Sequence, residues 1–468
     1  MIKAIKITVV AISVFSLSAC ATFDFDIGPS GEASISKETA AINAPASWVF
    51  GPQTDGDIAD DWGAVLIDPR LNELINQALA NSPSLRSSAE NVIRAEALLK
   101  QSRSNLVPSL SADFSPGLSG ALEGNNLSDS YFGGLSASWE ADLWGGIKAG
   151  ILASGYDLAS TRAAFGSARQ ALIAAVARSY ILAIEADLQI DLSAQTLRAQ
   201  EETFRIVNAR YELGAASRRE VVLAESDVAG ARDNLVVAKS AKTDAIQALQ
   251  ILLGDYPSGE LAVAPDFPRF VETLNTGTPE ALLRRRPDIL SAEYDVLSAF
   301  QSTRAVKSDT WPSLTLSGGI DTGSTNIIDL LDPVSVAYSL GARLADVLFD
   351  GGLSEGRIEA ASSSQRQALA NYGQTALDAY FDVESSLNTI NILGERRIFV
   401  QESADSARET LALAEIQYKE GAIDLLDVLT FRQRSFQADR TQITLQRQII
   451  EARIALYLAL GGAYQQTL

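Results

Sequence analysis

A short phrase occurs twice in the sequence, as Arg210-Tyr211-Glu212-Leu213-Gly214-Ala215-Ala216-Ser217 and as Gln417-Tyr418-Lys419-Glu420-Gly421-Ala422-Ile423-Asp424. In each copy an aromatic residue precedes a glycine by three positions, a small residue follows the glycine, and a polar residue stands three positions after it. Each copy separates two long stretches of helical character, so each is predicted to be the tip of a helical hairpin. Glycine commonly ends a helix because it adopts the left-handed conformation without penalty. Ser217 and Asp424 are placed to cap the returning helices.

The two copies belong to an internal duplication. Matching residues recur in the same order at a nearly constant offset: Pro83 with Pro287, Pro108 with Pro312, Tyr211 with Tyr418, and Gly254 with Gly461. An ordered series of matches of this kind indicates a repeat. The chain is therefore divided into repeat 1, residues 67–277, and repeat 2, residues 278–468. Each repeat is predicted to run helix, strand, strand, helix.

The composition excludes several classes of function. The net charge of −20 argues against a nucleic-acid partner, because binding to phosphates needs a basic surface. The chain has no histidine and one cysteine, so zinc, haem and iron–sulfur sites and histidine-based triads lose their usual groups. No pair of carboxylates is arranged in a pattern that indicates catalysis. We therefore expect a protein that is not an enzyme and that needs no cofactor or metal.

Residues 1–19 are predicted to be a lipoprotein signal peptide, with a basic start and an apolar run too short to span a bilayer. The sequence Leu17-Ser18-Ala19-Cys20 resembles the lipobox of bacterial lipoproteins, which implies cleavage before Cys20 and a covalent lipid on that residue. The alternative is an ordinary signal peptide followed by a chance cysteine. By the same resemblance, Ala21 after the cysteine favours the outer membrane. Residues 20–66, rich in Gly, Ser, Pro and Asp, are then predicted to be an extended, lipidated arm outside the core.

Four segments alternate apolar with polar side chains and are predicted to be strands. They lie at about 108–116, 131–143, 312–321 and 334–346. Each is close to the ~10 residues that cross a bilayer as tilted β-structure. The alternative is a half-buried sheet of a soluble protein, which shows the same alternation.

The stretches 147–211 and 353–418 contain no proline, and each is predicted to be a helix about 100 Å long. Shorter helices are predicted at 83–105, 217–253, 287–309 and 424–460. A helix of about 100 Å cannot be buried in a compact domain of this size, so the helices must pack side by side. Four strands cannot close a membrane barrel, since the smallest have about eight. If the strands are membranous, three chains would supply twelve strands and twelve helical staves.

Five further motifs occur in order over about residues 60–465: Asp68-Pro69-Arg70-Leu71, Trp139-Glu140-Ala141-Asp142-Leu143-Trp144-Gly145, Leu282-Leu283-Arg284-Arg285-Arg286-Pro287-Asp288-Ile289, Phe349-Asp350-Gly351-Gly352 and Leu456-Tyr457-Leu458-Ala459-Leu460-Gly461-Gly462. Together they resemble the TolC-like outer-membrane efflux proteins, specifically the lipidated, NodT-like branch that serves RND-type pumps. The resemblance implies a mainly α protein with a transmembrane β part. It would be a homotrimer, with a 12-stranded β-barrel continued by a 12-helix periplasmic α-barrel.

The function implied by the resemblance is the exit duct of a tripartite efflux system in a Gram-negative bacterium. Its partners would be a periplasmic adaptor protein, an inner-membrane RND-type pump and the lipid of the outer membrane, and its cargo small molecules. The alternative is a periplasmic coiled-coil scaffold lipoprotein without channel activity. Such a scaffold would share the helices and tips but would not need four alternating strands.

The resemblance also implies a periplasmic gate, formed by a ring of acidic side chains just past the second tip. Asp427 occupies that position, and Asp424 and the pseudo-equivalent Glu220 are further candidates. Three carboxylates that converge on a trimer axis would attract cations and raise one another's pKa. The alternative for Asp424 and Asp427 is that they only favour a helix N-terminus. For Glu220 it is an ion pair with the neighbouring Arg218 or Arg219.

The tips are where adaptor proteins dock in the family that the chain resembles. The candidate docking residues are Tyr211, Leu213, Gly214, Ala215 and Ser217 in the first tip and Tyr418, Gly421, Ala422 and Ile423 in the second. Leu213, Ala215, Ala422 and Ile423 are expected to be exposed, which suits contact with a helical hairpin, and the alternative is simple turn chemistry. For the triplet Arg284–Arg286, an anion site is less expected than structural pairing with acidic neighbours.

Overall fold

The computed structural model describes residues 30–51, 66–120, 127–270, 275–332 and 335–462. The predicted signal peptide and Cys20 lie outside the described residues. The helices are α1 (Gly31–Ile42), α2 (Pro69–Asn81), α3 (Pro83–Ser104), α4 (Gly146–Glu212), α5 (Arg218–Leu253), α6 (Pro279–Arg285), α7 (Pro287–Ser308), α8 (Leu353–Lys419) and α9 (Leu425–Ala459). The strands are β1 (Leu66–Ile67), β2 (Ser109–Gly120), β3 (Leu127–Ala141), β4 (Arg269–Phe270), β5 (Ser313–Ser324) and β6 (Val336–Ala345), and a 3-10 helix (Ile327–Leu331) precedes β6.

Two very long helices, α4 and α8, are the longest elements of the described chain. Each has 67 residues, which at 1.5 Å per residue gives about 100 Å. Each begins after a glycine with positive φ, Gly145 and Gly352, and each ends at one of the two tips. α4 packs against α3, α5, α7 and α9, whereas α8 packs against α7 and α9. Among the described helices, none has the length and hydropathy needed to cross a membrane.

The motif that opens with Asp68 positions the start of α2 against the main core. The Asp68 carboxylate caps the helix by accepting hydrogen bonds from the backbone N–H groups of Arg70 (2.8 Å) and Leu71 (3.2 Å). Its other oxygen accepts a hydrogen bond of 3.1 Å from the hydroxyl of the fully buried Tyr180 on α4. Burial, followed by the charge of Asp68, raises the pKa of Tyr180 to about 12. One carboxylate therefore joins α2 to the longest helix of repeat 1.

The arm of residues 20–66 is not extended throughout, and in this respect the prediction was wrong. Ser30 caps α1 by accepting from the backbone N–H of Ala33, and Ile35 of this helix is buried. Further along, Trp48 is buried and donates to the carbonyl oxygen of Gly277 over 3.0 Å. These side chains lie in a second core with residues of α6, α7, α8 and α9. The Gly and Ser content suggested a loop, but burial of the apolar side chains orders the segment.

Strands β2, β3, β5 and β6 form one antiparallel sheet in that order, and β1 and β4 form a separate pair. β2 and β5 begin one residue later than predicted and end later, at Gly120 and Ser324. β3 begins earlier, at Leu127. The pairing of β2 with β3 extends beyond the predicted strand ends as far as Gly120, which pairs with Leu127. Residue 334, where the fourth strand was predicted to begin, lies outside the described residues.

Candidate gate and docking site

Both hairpin tips are closed in the same way around a glycine. The φ angle is 76° at Gly214 and 78° at Gly421. The residue after each glycine donates its N–H to the carbonyl five positions earlier, over 2.7 Å in the first tip and 2.9 Å in the second. A Cβ added at either glycine would meet no atom within 4 Å. Backbone conformation, and not lack of space, therefore requires glycine at these two positions.

The first tip restarts as α5 through a capping box. The Ser217 side chain accepts from the backbone N–H of Glu220 over 3.3 Å, and the Glu220 carboxylate accepts from the backbone N–H of Ser217 over 2.6 Å. The hydrogen bonds from the Ser217 backbone and side chain lower the pKa of Glu220. In the protomer this carboxylate is thus engaged in the cap. The spacing Ser-x-x-Glu is a known sequence signal for this motif, and the sequence-based interpretation of Glu220 overlooked it.

The second tip restarts as α9 with a simpler cap. The Asp424 side chain accepts from the backbone N–H of Asp427 over 3.1 Å. Asp427 lies in the first turn of α9, where a negative charge is favoured by the helix dipole, and its own side chain is exposed. Asp424 therefore has a capping role in the protomer, and the carboxylate of Asp427 is free of that role. A ring of Asp427 side chains would require three chains, so the gate assignment stays a prediction.

Most of the candidate docking residues are at the surface of the protomer. Leu213 is 84% exposed, which is the highest exposure among the large apolar side chains of the two tips. The other exposed candidates are Tyr211, Gly214, Ala215, Ser217, Gly421 and Ala422. Ile423 and Tyr418 are half-buried, so the expectation that Ile423 is exposed was wrong. For Tyr418 the reason is local packing, because it lies against a small core that the two tips share.

That small core is the tip cluster, which consists of Val207, Val221, Leu425 and Leu429. It joins α4, α5 and α9, and Tyr418 of α8 packs against it. The guanidinium carbon of Arg210 also lies 5.2 Å from the centre of the Tyr418 ring, a distance within the range of cation–π contacts. Side chains from all four tip helices therefore meet in one place.

A buried arginine, Arg432, lies on α9 about one helical turn after Leu429 of the tip cluster and forms a second connection between the tip helices. Its guanidinium donates to the Thr203 hydroxyl over 2.6 Å and to the Gln200 side-chain oxygen over 3.3 Å, both on α4. It also pairs with Glu415 of α8 over 2.6 Å. A buried guanidinium is costly unless its donors are satisfied. Arg432 therefore holds α4, α8 and α9 in a fixed relation, and no sequence pattern had singled it out.

Asp227 on α5 is the acidic neighbour of this arginine. Burial raises the pKa of Asp227, and the positive charge of Arg432 acts in the opposite direction. The net shift is upward, so the cost of removing this carboxylate from water exceeds its attraction to Arg432.

The sheet has one apolar and one polar face, and its register keeps both faces continuous across all four strands. On one face Ala112 pairs with Leu135, Leu135 with Ile320, and Ile320 with Tyr338. On the other face Ser111 pairs with Ser136 and Ser136 with Gly319. Apolar side chains on the first face are open to the solvent, and Leu110, Tyr338 and Leu340 are 75%, 84% and 84% exposed. An exposed apolar face of this extent marks a surface that other molecules cover.

Two arginines of the triplet Arg284–Arg286, namely Arg285 and Arg286, make structural contacts. Arg286 is buried and pairs with Asp288 (2.7 Å) and Asp382 (3.0 Å). Burial alone would lower the pKa of Arg286, but the hydrogen bonds that it donates to the two carboxylates, together with their negative charge, outweigh burial and raise the pKa. Arg285 donates to the carbonyl oxygen of Gly462 over 3.0 Å. In the described part of the chain, no group of three or more His, Cys, Asp or Glu residues is arranged to hold a metal ion.

A comparison with known families gives a match on either side of the repeat boundary. The family model described as outer membrane efflux protein matches residues 74–255 and 278–462. The chain belongs to this family. The two matched segments fall within repeats 1 and 2 as the duplication divides them.

Individual relatives agree over nearly the full length. The chain is 29% identical over 442 residues to the pyoverdine export outer membrane protein OpmQ of Pseudomonas aeruginosa, covering 91% of this chain and 92% of the relative. It is 28% identical to the cation efflux system protein CusC of Escherichia coli, covering 86% and 88%. Its structure resembles the open state of the Neisseria gonorrhoeae outer membrane channel MtrE, with a TM-score of 0.82 and 27% identity over 90% of this chain and 96% of that chain.

These findings confirm the predicted family, the outer-membrane location and the function as an outer-membrane efflux channel, the exit duct. They favour the channel over the alternative of a scaffold lipoprotein. They also confirm the coarse fold, a mainly helical protomer of the TolC-like type.

Proposed function

We propose that three copies of this chain form a passive exit duct for small molecules, without catalytic activity. The four-stranded sheets would close a 12-stranded barrel in the outer membrane, and the helices would continue it as a 12-helix α-barrel in the periplasm. The observation that carries the proposal is the continuous apolar face of a sheet with two unpaired edges. In lipid such a sheet must close on itself, because unpaired backbone groups are not tolerated there. The Ser- and Gly-rich polar face would then line an aqueous lumen.

The partners in this proposal are a periplasmic adaptor protein, which would dock at the tips, and an inner-membrane RND-type pump. Exposed Leu213 and Ala215 in the first tip and exposed Ala422 in the second support docking of a helical hairpin at this end. The tip cluster and Arg432 would make the two tips of a protomer respond to the adaptor together. Asp427 would supply the acidic ring of the gate, with Asp424 capping the helix that carries it.

Single-channel recording in planar bilayers tests the duct and its gate. The purified protein should form conducting channels, and Asp427→Ala should raise the conductance or reduce the preference for cations, because three negative charges leave the constriction. Glu420→Gln removes an exposed carboxylate from the same tip and serves as the matched control. Channels of unchanged conductance and selectivity in Asp427→Ala would limit Asp427 to its role at the helix N-terminus. Absence of any conductance from correctly assembled protein would contradict the duct itself.

The covalent lipid on Cys20 is a separate part of the proposal. Cells fed with radiolabelled palmitate should label the wild-type protein, and Cys20→Ala should abolish the label because Cys20 is the one cysteine of the chain. Labelling that persists in Cys20→Ala would exclude this attachment site. A protein that lacks the lipid but still forms channels would show that the anchor and the duct are independent.

A further inference from the structure

The two edge strands of the sheet, β2 and β6, have no partner on their outer sides among the described residues. An unpaired edge in a bilayer leaves a row of backbone N–H and C=O groups without hydrogen bonds, which the hydrocarbon region does not tolerate. In the proposed trimer, β6 of each subunit would therefore lie antiparallel beside β2 of the next. Resting on that trimer, we propose the register of this seam, which places Ala342 opposite the partner's Pro116. The occupant of each edge is thus a second copy of this chain.

The duplication provides the register, because the structure fixes two offsets between the repeats. The first offset relates the first half of each repeat and carries the start of α3 at Pro83 onto that of α7 at Pro287. It also carries the start of β2 at Ser109 onto that of β5 at Ser313. The second offset relates the second halves and is three positions longer, carrying the start of α4 at Gly146 onto that of α8 at Leu353.

The hydrogen-bonded pairs of the sheet obey the same two offsets. Ser109 pairs with Ser138 in repeat 1, and Ser313 pairs with Ala345 in repeat 2. The first offset carries Ser109 onto Ser313, and the second carries Ser138 onto Ala345. The helix boundaries and the strand pairing therefore give the same relation independently. The two repeats are equivalent at the level of single residues in this region.

One seam between repeats is already present inside the protomer, where β3 of repeat 1 pairs with β5 of repeat 2. There Leu135 lies opposite Ile320. The second offset makes Ala342 the equivalent of Leu135 in repeat 2, and the first makes Pro116 the equivalent of Ile320 in repeat 1. The seam between subunits then pairs Ala342 with the partner's Pro116, and the neighbouring pairs follow in antiparallel order.

Two independent features fit this register. It sets Leu340 opposite the partner's Leu118 and Ser339 opposite the partner's Ser119, so the apolar and polar faces continue across the seam. A slip of one residue would put leucines into the lumen.

The register also sets Arg343 opposite the partner's Ser115, one diagonal step from the partner's Asp113. Arg343 is exposed on the polar face, and in the described residues of its own protomer it forms no ion pair. An Arg343–Asp113 ion pair between subunits follows.

Disulfide trapping in the outer membrane tests the register, and the chain suits it because its one native cysteine is Cys20. The double variants Ser339→Cys with Ser119→Cys, and Arg343→Cys with Ser115→Cys, place cysteines directly opposite each other across the seam. Each has a matched control shifted by two residues on the same face, Ala337→Cys with Ser119→Cys and Ala345→Cys with Ser115→Cys. Opposed β-carbons lie about 4.5–5.5 Å apart in a sheet, whereas diagonal ones are about 7–8 Å apart, beyond ordinary disulfide geometry.

Mild oxidation should convert both direct pairs to a covalent trimer on denaturing gels, at several times the yield of the shifted controls. Higher yield from either shifted control would overturn this register while leaving the trimer intact. A native-gel trimer in which none of the four variants cross-links would show that β2 and β6 are not joined. A monomer in the membrane, by native gel and cross-linking alike, would overturn the proposed trimer as well.

Discussion

The guanidinium carbon of Arg210 lies 5.2 Å from the centre of the Tyr418 ring, so a side chain at the end of α4 contacts one at the end of α8. The two hairpin tips, which belong to different repeats and lie far apart in the sequence, are therefore in direct contact within one protomer. The tip cluster lies beside this pair and adds apolar contacts from α5 and α9. Any movement that opens one tip must separate these groups or carry the other tip with it.

Arg210→Gln should loosen the end of α4 without unfolding the protomer. Cation–π contacts at exposed sites contribute about 0.5–1 kcal/mol, so amide exchange near the first tip should accelerate by about threefold. Tyr418→Leu keeps an apolar side chain against the tip cluster, and its effect should not add to that of Arg210→Gln in the double variant. Hydrogen exchange measured by mass spectrometry gives all three rates. Fully additive effects would mean that the two side chains do not interact.

Arg432→Leu should separate α9 from α4 near the tips. The substitution removes the hydrogen bonds to Thr203 and Gln200 and the ion pair with Glu415, and bonds of a charged group contribute about 1.5–3 kcal/mol. We expect faster hydrogen exchange in both α4 and α9 and a larger open fraction in single-channel records. Arg434→Leu removes an exposed arginine two residues away and is the control. Equal effects of the two substitutions would assign the change to net charge and not to this network.

The long helices and the duplication could be predicted because they depend on local patterns. Absence of proline over more than sixty residues marked α4 and α8, and the repeated aromatic–glycine spacing marked their ends at Gly214 and Gly421. The alternation of the strands was equally local, but their ends were not. β3 begins at Leu127 because Gly120 of β2 pairs with it. The local sequence of a strand does not reveal which residue of another strand it pairs with.

The contacts that connect distant parts of the chain could not be predicted from the sequence. Arg432 appeared as one charged residue among many on α9, and only the structure shows that it is buried. Trp48 lay in a segment with the composition of a loop, yet it fills a site beside Tyr380, which belongs to α8 in repeat 2. Glu220 is the exception, because its capping box could have been recognised from the spacing to Ser217.

Glu220→Gln and Glu220→Ala should distinguish a cap from a gate. Gln can replace Glu in a capping box, so Glu220→Gln should keep the first tip ordered and lose only the part of the stabilisation that depends on charge, while Glu220→Ala should accelerate exchange there more strongly. The folded-state pKa of Glu220 is lowered, so its stabilisation is present above the ordinary pKa and is lost as the pH falls through the lowered value. A change in cation selectivity in Glu220→Gln, with the tip still ordered, would instead support a gating role.

Glu384→Ala should release the arm that precedes β1. The Glu384 carboxylate accepts from the backbone N–H groups of Val49 (2.8 Å) and Phe50 (3.1 Å), and nothing else in the described residues offers these groups a side-chain acceptor. Limited proteolysis should cut the variant near residue 50 several times faster than the wild type. Glu395→Ala, an exposed carboxylate further along α8, is the control. Equal cleavage rates in the two variants would show that the buried side chains of the arm, Ile35 and Trp48, hold it without help from Glu384.

Asp227→Asn should stabilise the protein at neutral pH. Because burial raises the folded-state pKa of Asp227, its favourable contribution is present below its ordinary pKa and is lost as the pH rises through the raised value. The neutral amide avoids the desolvation of a charged carboxylate, so the variant should unfold at a higher temperature than the wild type near neutral pH. Below the ordinary Asp pKa of about 3.9 the two proteins should unfold alike. Thermal unfolding followed by circular dichroism measures both. A lower unfolding temperature of Asp227→Asn at neutral pH would mean that attraction to Arg432 outweighs the desolvation of Asp227.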